Sequence, residues 1–274
     1  MAETIAGKTR PVRKPVAIRK PIGKQPRTKQ EREERLAEIL RILAELHPNP
    51  QCALDHRNPW ELLVATILSA QCTDVRVNMV TPQLFKRYPT VKAMAAANVE
   101  DVAEIIRTTG FFNNKAKSVV GAAQRVMDAF GGEVPRTMEE LLTVPGAARK
   151  TANVVLGSGY GIATGIVVDT HVQRIARRLG LTQETEPVKI ERDLMKTIPQ
   201  ERWIDFSHQL ILHGRARCFA RKPNCAECPI DPLCFAADKT STEPGIEKRN
   251  VANASTTKTR TSRKSALKTK AGAD

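Results

Sequence analysis

With 274 residues, 41% of them hydrophobic, the chain can bury a substantial core, so disorder throughout is excluded. Its 44 Lys and Arg against 29 Asp and Glu give a formal charge of +15, which points to a polyanionic partner such as nucleic acid or an anionic membrane surface. No stretch approaches the length of a membrane span and the N-terminus lacks the apolar run of a secretion signal, so a reducing intracellular compartment, such as the bacterial cytoplasm, is the simpler expectation.

In chain order, residues 1–30 carry nine Lys or Arg and one acid without hydrophobic periodicity, and are expected to form a disordered basic tail. Leu36, Ile39, Leu40 and Leu43 then share one helical face. Asn58-Pro59-Trp60-Glu61 supplies an N-cap, a proline at the first helical position and an acid at the third, ahead of an apolar run to Leu68 that predicts a largely buried helix. Further helices are predicted to start at Asn98 and at Thr137, where Glu140 would complete a capping box. Gly110, Gly131 and Gly214 are expected to stop helices. Val119, Val120, Ala123, Val126, Met127 and Phe130 form another helical stripe. Residues 165–168 are the best strand candidate but are short, so the predicted class is all-α. Residues 238–274 make a second basic tail. The tails carry +8 and +5, leaving +2 between them.

Three local patterns carry chemistry. Residues 141–152 read as an apolar helix end, a Pro145-Gly146 turn and a second helix starting near Arg149, which is a helix-hairpin-helix pattern. Outward-pointing backbone N–H groups of such a turn, around Gly146, Ala148 and Arg149, form a phosphate cradle without side-chain charge. Lys150 lies in the first turn of the second helix. A free amine there can attack C1′ of a nucleoside, form a Schiff base and let β-elimination break the 3′ phosphate ester; the plainer alternative is one more phosphate-binding lysine. Asp169 precedes Thr170-His171-Val172-Gln173-Arg174 and reads as an N-cap. A carboxylate near C1′ would also stabilise the positive charge that develops as a base leaves.

The third pattern is Cys218-x6-Cys225-x2-Cys228-x5-Cys234, four thiols within 17 residues. Such a loop can wrap one tetrahedral zinc or one iron–sulfur cubane, and zinc sites more often show two well-separated Cys-x2-Cys pairs. Arg215, Arg217, Arg221 and Lys222 stand beside it, suited either to balancing thiolate charge or to meeting phosphates. Cys52 and Cys72 read as small apolar core residues.

Together, LSAQCTD (68–74), TGFFNNKA (109–116), VPGAARKTANVV (144–155), VDTH (168–171) and the cysteine loop resemble the endonuclease III family, over about residues 31–236. That resemblance implies a two-lobed helix-hairpin-helix glycosylase fold: a six-helix barrel (58–168) and a discontinuous [4Fe–4S] cluster domain (31–57 and 169–237), with DNA across the cleft. It implies a monomeric enzyme of base-excision repair that removes oxidised or damaged pyrimidines from duplex DNA and cleaves the abasic site as a lyase. By motif position Lys150 is the nucleophile and Asp169 its acidic partner. Gln71 and Phe111 enter the duplex where the base has left, Gly146, Ala148 and Arg149 hold the DNA backbone, and Cys218, Cys225, Cys228 and Cys234 hold the cluster. Asp74 and Asn113 are expected to be structural. One departure stands out: the family hairpin usually reads Gly-x-Gly, and Ala148 replaces the second glycine, which would weaken phosphate binding if that position needs positive φ or closer approach than a methyl permits.

Overall fold

The computed structural model describes residues 25–240, and among them the chain is helical with no strand. In order run α1 (Lys29–Leu46), α2 (Pro59–Leu68), α3 (Asp74–Arg87), α4 (Val91–Ala95), α5 (Val99–Ile105), α6 (Phe112–Phe130), α7 (Met138–Leu141), α8 (Arg149–Val154), α9 (Thr170–Arg178), α10 (Pro187–Met195) and α11 (Trp203–Ala216). No helix among the described residues is long and apolar enough to cross a membrane.

The starts follow local chemistry. Asn58 caps α2 through the Glu61 N–H with Pro59 in the first turn, and every residue from Trp60 to Leu68 is buried, as the apolar run predicts. Asn98 caps α5 and Thr137 caps α7. The Glu140 carboxylate accepts from the Thr137 hydroxyl at 2.8 Å rather than from its backbone N–H, so the expected box is only half formed. A complete capping box stands instead at α1, between Thr28 and Glu31.

The apolar faces of the described residues assemble into two cores. The first gathers α2 to α8 around Leu62, Leu63, Leu84, Met94, Ile106, Val119 and Leu156. The second joins α1 to α9, α10 and α11 around Ile39, Leu43, Ile175, Leu194, Phe206 and Leu210. The stretch between α8 and α9 serves both: Ile162 and Val167 pack on the first core, Ile166 and Val168 in the second.

Residues 165–168 form no strand, in keeping with the predicted all-α class. Three sequence expectations are corrected. Gly131 ends α6 at φ 61°, but Gly214 lies inside α11, where a Cβ would sit 2.6 Å from His171 Nδ1 and 2.9 Å from Ile175 Cδ1. It makes room for α9 rather than stopping a helix. The N-terminal tail gives way to ordered chain before residue 30, since α1 begins at Lys29. At the other end Asp238 pairs with Arg178 at 2.5 Å, Lys239 with Asp231 at 2.7 Å, and Thr240 donates to the Pro223 carbonyl at 2.6 Å, so the folded chain runs past 237. The remainder of both tails lies outside the described residues.

Candidate active site

The hairpin is built on the first core. Val144 is buried, Ala147 N–H returns to the Val144 carbonyl at 3.0 Å, and Gly146 turns the chain at φ 80°. A Cβ at Gly146 would lie 3.0 Å from Ser118 Cβ and 3.3 Å from Ile67, so both conformation and space require glycine there. Ala148 is the N-cap of α8 with φ −79° and ψ 171°, ordinary extended backbone. Positive φ is therefore not what the second family glycine would provide, and the alanine carries no backbone strain.

Because alanine has no side-chain acceptor, α8 starts without a cap. Its first N–H groups and the positive end of its dipole stay available to an anion. Lys150 is exposed in this first turn and its ammonium has no hydrogen bond or ion pair among the described residues. Beyond Val154 the helix widens into a π-turn, Val155–Gly159.

Arg149 points elsewhere. Its Nε lies 2.7 Å and its Nη2 3.0 Å from the carboxylate oxygens of buried Glu191 on α10, which also accepts from Asn153 Nδ2 at 2.8 Å. Those hydrogen bonds hold the guanidinium firmly charged. Gly165 lies against this cluster, and a Cβ there would stand 2.1 Å from Glu191 Oε1. Arg149, expected beside phosphate, is thus engaged in an ion pair that fastens the hairpin helix to the second core.

Asp169 caps α9 as expected. Its Oδ1 accepts the N–H groups of His171 and Val172, each at 2.8 Å, while Oδ2 has no hydrogen bond among the described residues. His208, pulled down in pKa by burial against the opposing pull of Asp205 and Asp169, meets Ser158 Oγ of the π-turn at 3.0 Å. His208 thereby links the π-turn after the Lys150 helix to α11.

Gln71 and Phe111 sit on separate loops of the first core, both exposed, Phe111 by 65%. They adopt left-handed backbone, φ 53° and φ 47°, and among the described non-glycine residues only Lys222 of the cysteine loop shares that region. Such conformations in non-glycine residues concentrate at functional sites. Asp74 forms an ion pair with Arg215, joining α3 to α11, which is a structural role. Asn113 is exposed on α6.

The four cysteines of the loop line one common cavity with Arg178, His213 and Ile230. Arg178 Nη1 donates to Cys218 Sγ at 3.3 Å, and Arg174 holds the Cys218 carbonyl at 3.0 Å. Buried Arg35 of α1 binds the carbonyls of Leu233 and Leu179, tying the first helix to the loop. Burial pushes the Cys228 thiol up to about 12, with the nearby Cys218 and Cys234 thiols adding to it. Among the described residues no set of three or more His, Cys, Asp or Glu is arranged to hold a single metal ion.

Sequence reasoning missed Glu191, His208 and Lys115. Lys115 is buried, and its ammonium donates to the carbonyls of Leu68 at 2.8 Å and Thr109 at 2.7 Å. Its place within TGFFNNKA was the available signal.

The family model for HhH-GPD superfamily base excision DNA repair proteins matches residues 64–200. Endonuclease III of Synechocystis is 57% identical over 206 residues, covering 75% of this chain and 94% of its own length. This chain belongs to the endonuclease III family. A solved non-covalent endonuclease III–DNA complex and a trapped endonuclease III–DNA covalent intermediate each share 41% identity and superpose with a TM-score of 0.70, covering 74% of this chain and 95% of theirs. The all-helical architecture is accordingly the helix-hairpin-helix endonuclease III fold.

Endonuclease III membership implies an iron–sulfur cluster, and the residues fit one. The donor set is four thiols around one cavity. Buried His213, pulled down to about 4 by burial and therefore neutral, has no partner at Nδ1 and places Nε2 3.6 Å from Cys228 Sγ. With its proton on Nε2, the ring would donate toward a cluster-bound thiolate.

Proposed function

We propose that this endonuclease III family member removes damaged pyrimidines from duplex DNA as an N-glycosylase and cuts the resulting abasic strand by β-elimination. The observation that carries this reading is the hairpin: an uncapped helix start at Ala148 with the exposed and unpaired Lys150 in its first turn.

In this reading phosphate docks on the free N–H groups of the α8 start, which sets C1′ near Lys150. The Lys150 amine attacks C1′ and the glycosidic C1′–N bond breaks, the base leaving with the bonding pair and taking up a proton. Opening of the sugar ring yields an imine between Nζ and C1′. Loss of a C2′ proton then expels the 3′ phosphate, and water hydrolyses the imine to free the lysine. Asp169, with Oδ1 fixed by two N–H groups and Oδ2 free, supplies negative charge opposite the developing oxocarbenium. Gln71 and Phe111 fill the space left by the extruded base, recovering part of the energy lost on unstacking. Gly146 lets the hairpin backbone approach phosphate, and Ala148 leaves the helix start open; Arg149 acts by fixing the hairpin helix through Glu191.

Residues 58–168 form the barrel lobe, and residues 25–57 with 169–240 the lobe that holds the cluster. Cys218, Cys225, Cys228 and Cys234 are its ligands, with Arg178 and His213 beside the sulfurs. When bound, the cluster supplies a crosslink that fastens the C-terminal loop. Iron and sulfide analysis of anaerobically purified protein should find about four of each per chain; stoichiometric zinc without iron would contradict the assignment. For the activity, duplex carrying one oxidised pyrimidine should yield free base and a nicked strand ending in an unsaturated aldehyde. Release of base without nicking would remove the lyase step, and intact duplex would remove the whole reading.

A further inference from the structure

Lys115 stands where local physics disfavours it. It is the fourth residue of α6, so its positive charge lies at the positive end of the helix dipole, and it is 6% exposed. Burial draws its pKa down, and among the described residues no carboxylate pairs with it. Two carbonyls hold it instead.

Those carbonyls have a common feature. Leu68 ends α2, three residues before Gln71; Thr109 ends the short 3-10 turn Arg107–Thr109, two residues before Phe111. Gln71 and Phe111 are the exposed left-handed residues of the first core, and Phe111 occupies the N-cap of α6 with no side-chain capping bond. The local side-chain bonds, Ser69 Oγ to the Thr66 carbonyl and Thr109 Oγ1 to the Ile106 carbonyl, each at 2.8 Å, tie each loop to its own preceding turn and not to the other loop. Lys115 also returns its backbone N–H to the Phe111 carbonyl at 3.1 Å. One side chain thus grips the roots of both loops. An ammonium, with three tetrahedrally spread donors, can satisfy two carbonyls that face it from different segments.

We propose that Lys115 is a positioning residue that staples the Leu68 and Thr109 loop roots together and so fixes the spacing at which Gln71 and Phe111 enter the duplex. The consequence for the enzyme rests on the reading that these two residues fill the gap left by the extruded base. Lys115 touches neither DNA nor reacting atoms; it sets the wedge, and the wedge sets the population of extruded base.

The test uses the full-length, cluster-loaded protein with Lys115→Met, which keeps the length and apolar stem and removes the donors. Amide exchange should accelerate in residues 69–73 and 109–113 together, with the cysteine loop and α9 unchanged. Acceleration in neither loop, or in one only, overturns the staple. Turnover of an oxidised pyrimidine in paired duplex should fall about tenfold or more, while the same lesion in single-stranded DNA should be processed within about twofold of the unmodified enzyme. Equal loss on both substrates would mark a merely structural role and contradict the proposal. Adding Lys115→Met to a Gln71→Ala/Phe111→Ala protein should cost little more, and full additivity would likewise contradict it. If Gln71→Ala/Phe111→Ala leaves duplex turnover unchanged, the gap-filling reading fails, while the exchange measurement still decides the staple. Should Lys115→Met not fold, Lys115→Gln, uncharged and one bond shorter, is expected to loosen at least one root; both loops exchanging as in the unmodified protein would overturn the proposal.

Discussion

α8 carries Lys150 in its first turn and α9 is capped by Asp169, and the two helices begin in opposite ways. α8 starts at Ala148, which offers no acceptor, and leaves its first N–H groups and Lys150 without intramolecular partners among the described residues. α9 starts at Asp169, whose Oδ1 takes two of its N–H groups at 2.8 Å. An absent cap costs a helix about 1 kcal/mol. At α8 tertiary packing offsets that, since Thr151, Ala152, Asn153 and Val154 are buried and Arg149 is anchored to Glu191. The difference teaches how two identical backbone ends acquire opposite characters: one remains an electropositive opening suited to phosphate, the other is covered by a carboxylate held in fixed orientation.

Breaking the α9 side should give the larger effect. Asp169→Asn keeps an oxygen for the two N–H groups and removes the charge, so melting should shift little while turnover falls by about two orders of magnitude or more. Asp169→Ala should add a stability loss of about 1 kcal/mol to the same catalytic defect. Comparing thermal melts and single-turnover rates of the two variants separates cap from charge, and equal melting would show that the cap is immaterial.

Making α8 resemble α9 should give an intermediate effect. Ala148→Asp installs both a cap and a negative charge at the phosphate opening; stability should rise by about 1 kcal/mol while affinity for abasic duplex falls several-fold. Undiminished affinity would mean that the α8 start does not meet phosphate. Ala148→Gly should do least. With φ at −79° there is no strain to relieve, so binding should stay within about twofold and stability should drop by up to about 1 kcal/mol through unfolded-chain entropy. A large gain in affinity would show that the methyl was blocking backbone approach.

Much of this was legible in the sequence because the causes are local. Asn58, Thr137 and Asp169 announce helix starts from neighbours three residues away, and the burial of α2 follows from its unbroken apolar run. The hairpin, the candidate lysine and the cysteine loop carry their own spacing. What stayed hidden depends on partners distant in the chain. Gly214 looks like a helix stop until His171 is seen in the space its missing Cβ leaves. Arg149 shows no structural partner in its own neighbourhood of the sequence until Glu191, 42 residues on, appears against it. Lys115 has its partner Leu68 47 residues back, a contact that its own stretch of sequence does not signal. The need for Gly146 and the tolerance of Ala148 likewise turn on dihedral angles and on Ser118, which spacing does not encode.

On the proposed mechanism the amine at the uncapped α8 start is the covalent nucleophile. Borohydride added during turnover of duplex with an oxidised pyrimidine or an abasic site should give a stable protein–DNA adduct, and peptide mapping of that adduct should place the sugar remnant on Lys150. Lys150→Ala should lose the adduct and most strand cleavage while retaining its fold, its cluster and most of its DNA affinity. A Lys150→Ala protein that still traps and nicks like the unmodified enzyme, or an adduct that maps to another residue, would contradict the account.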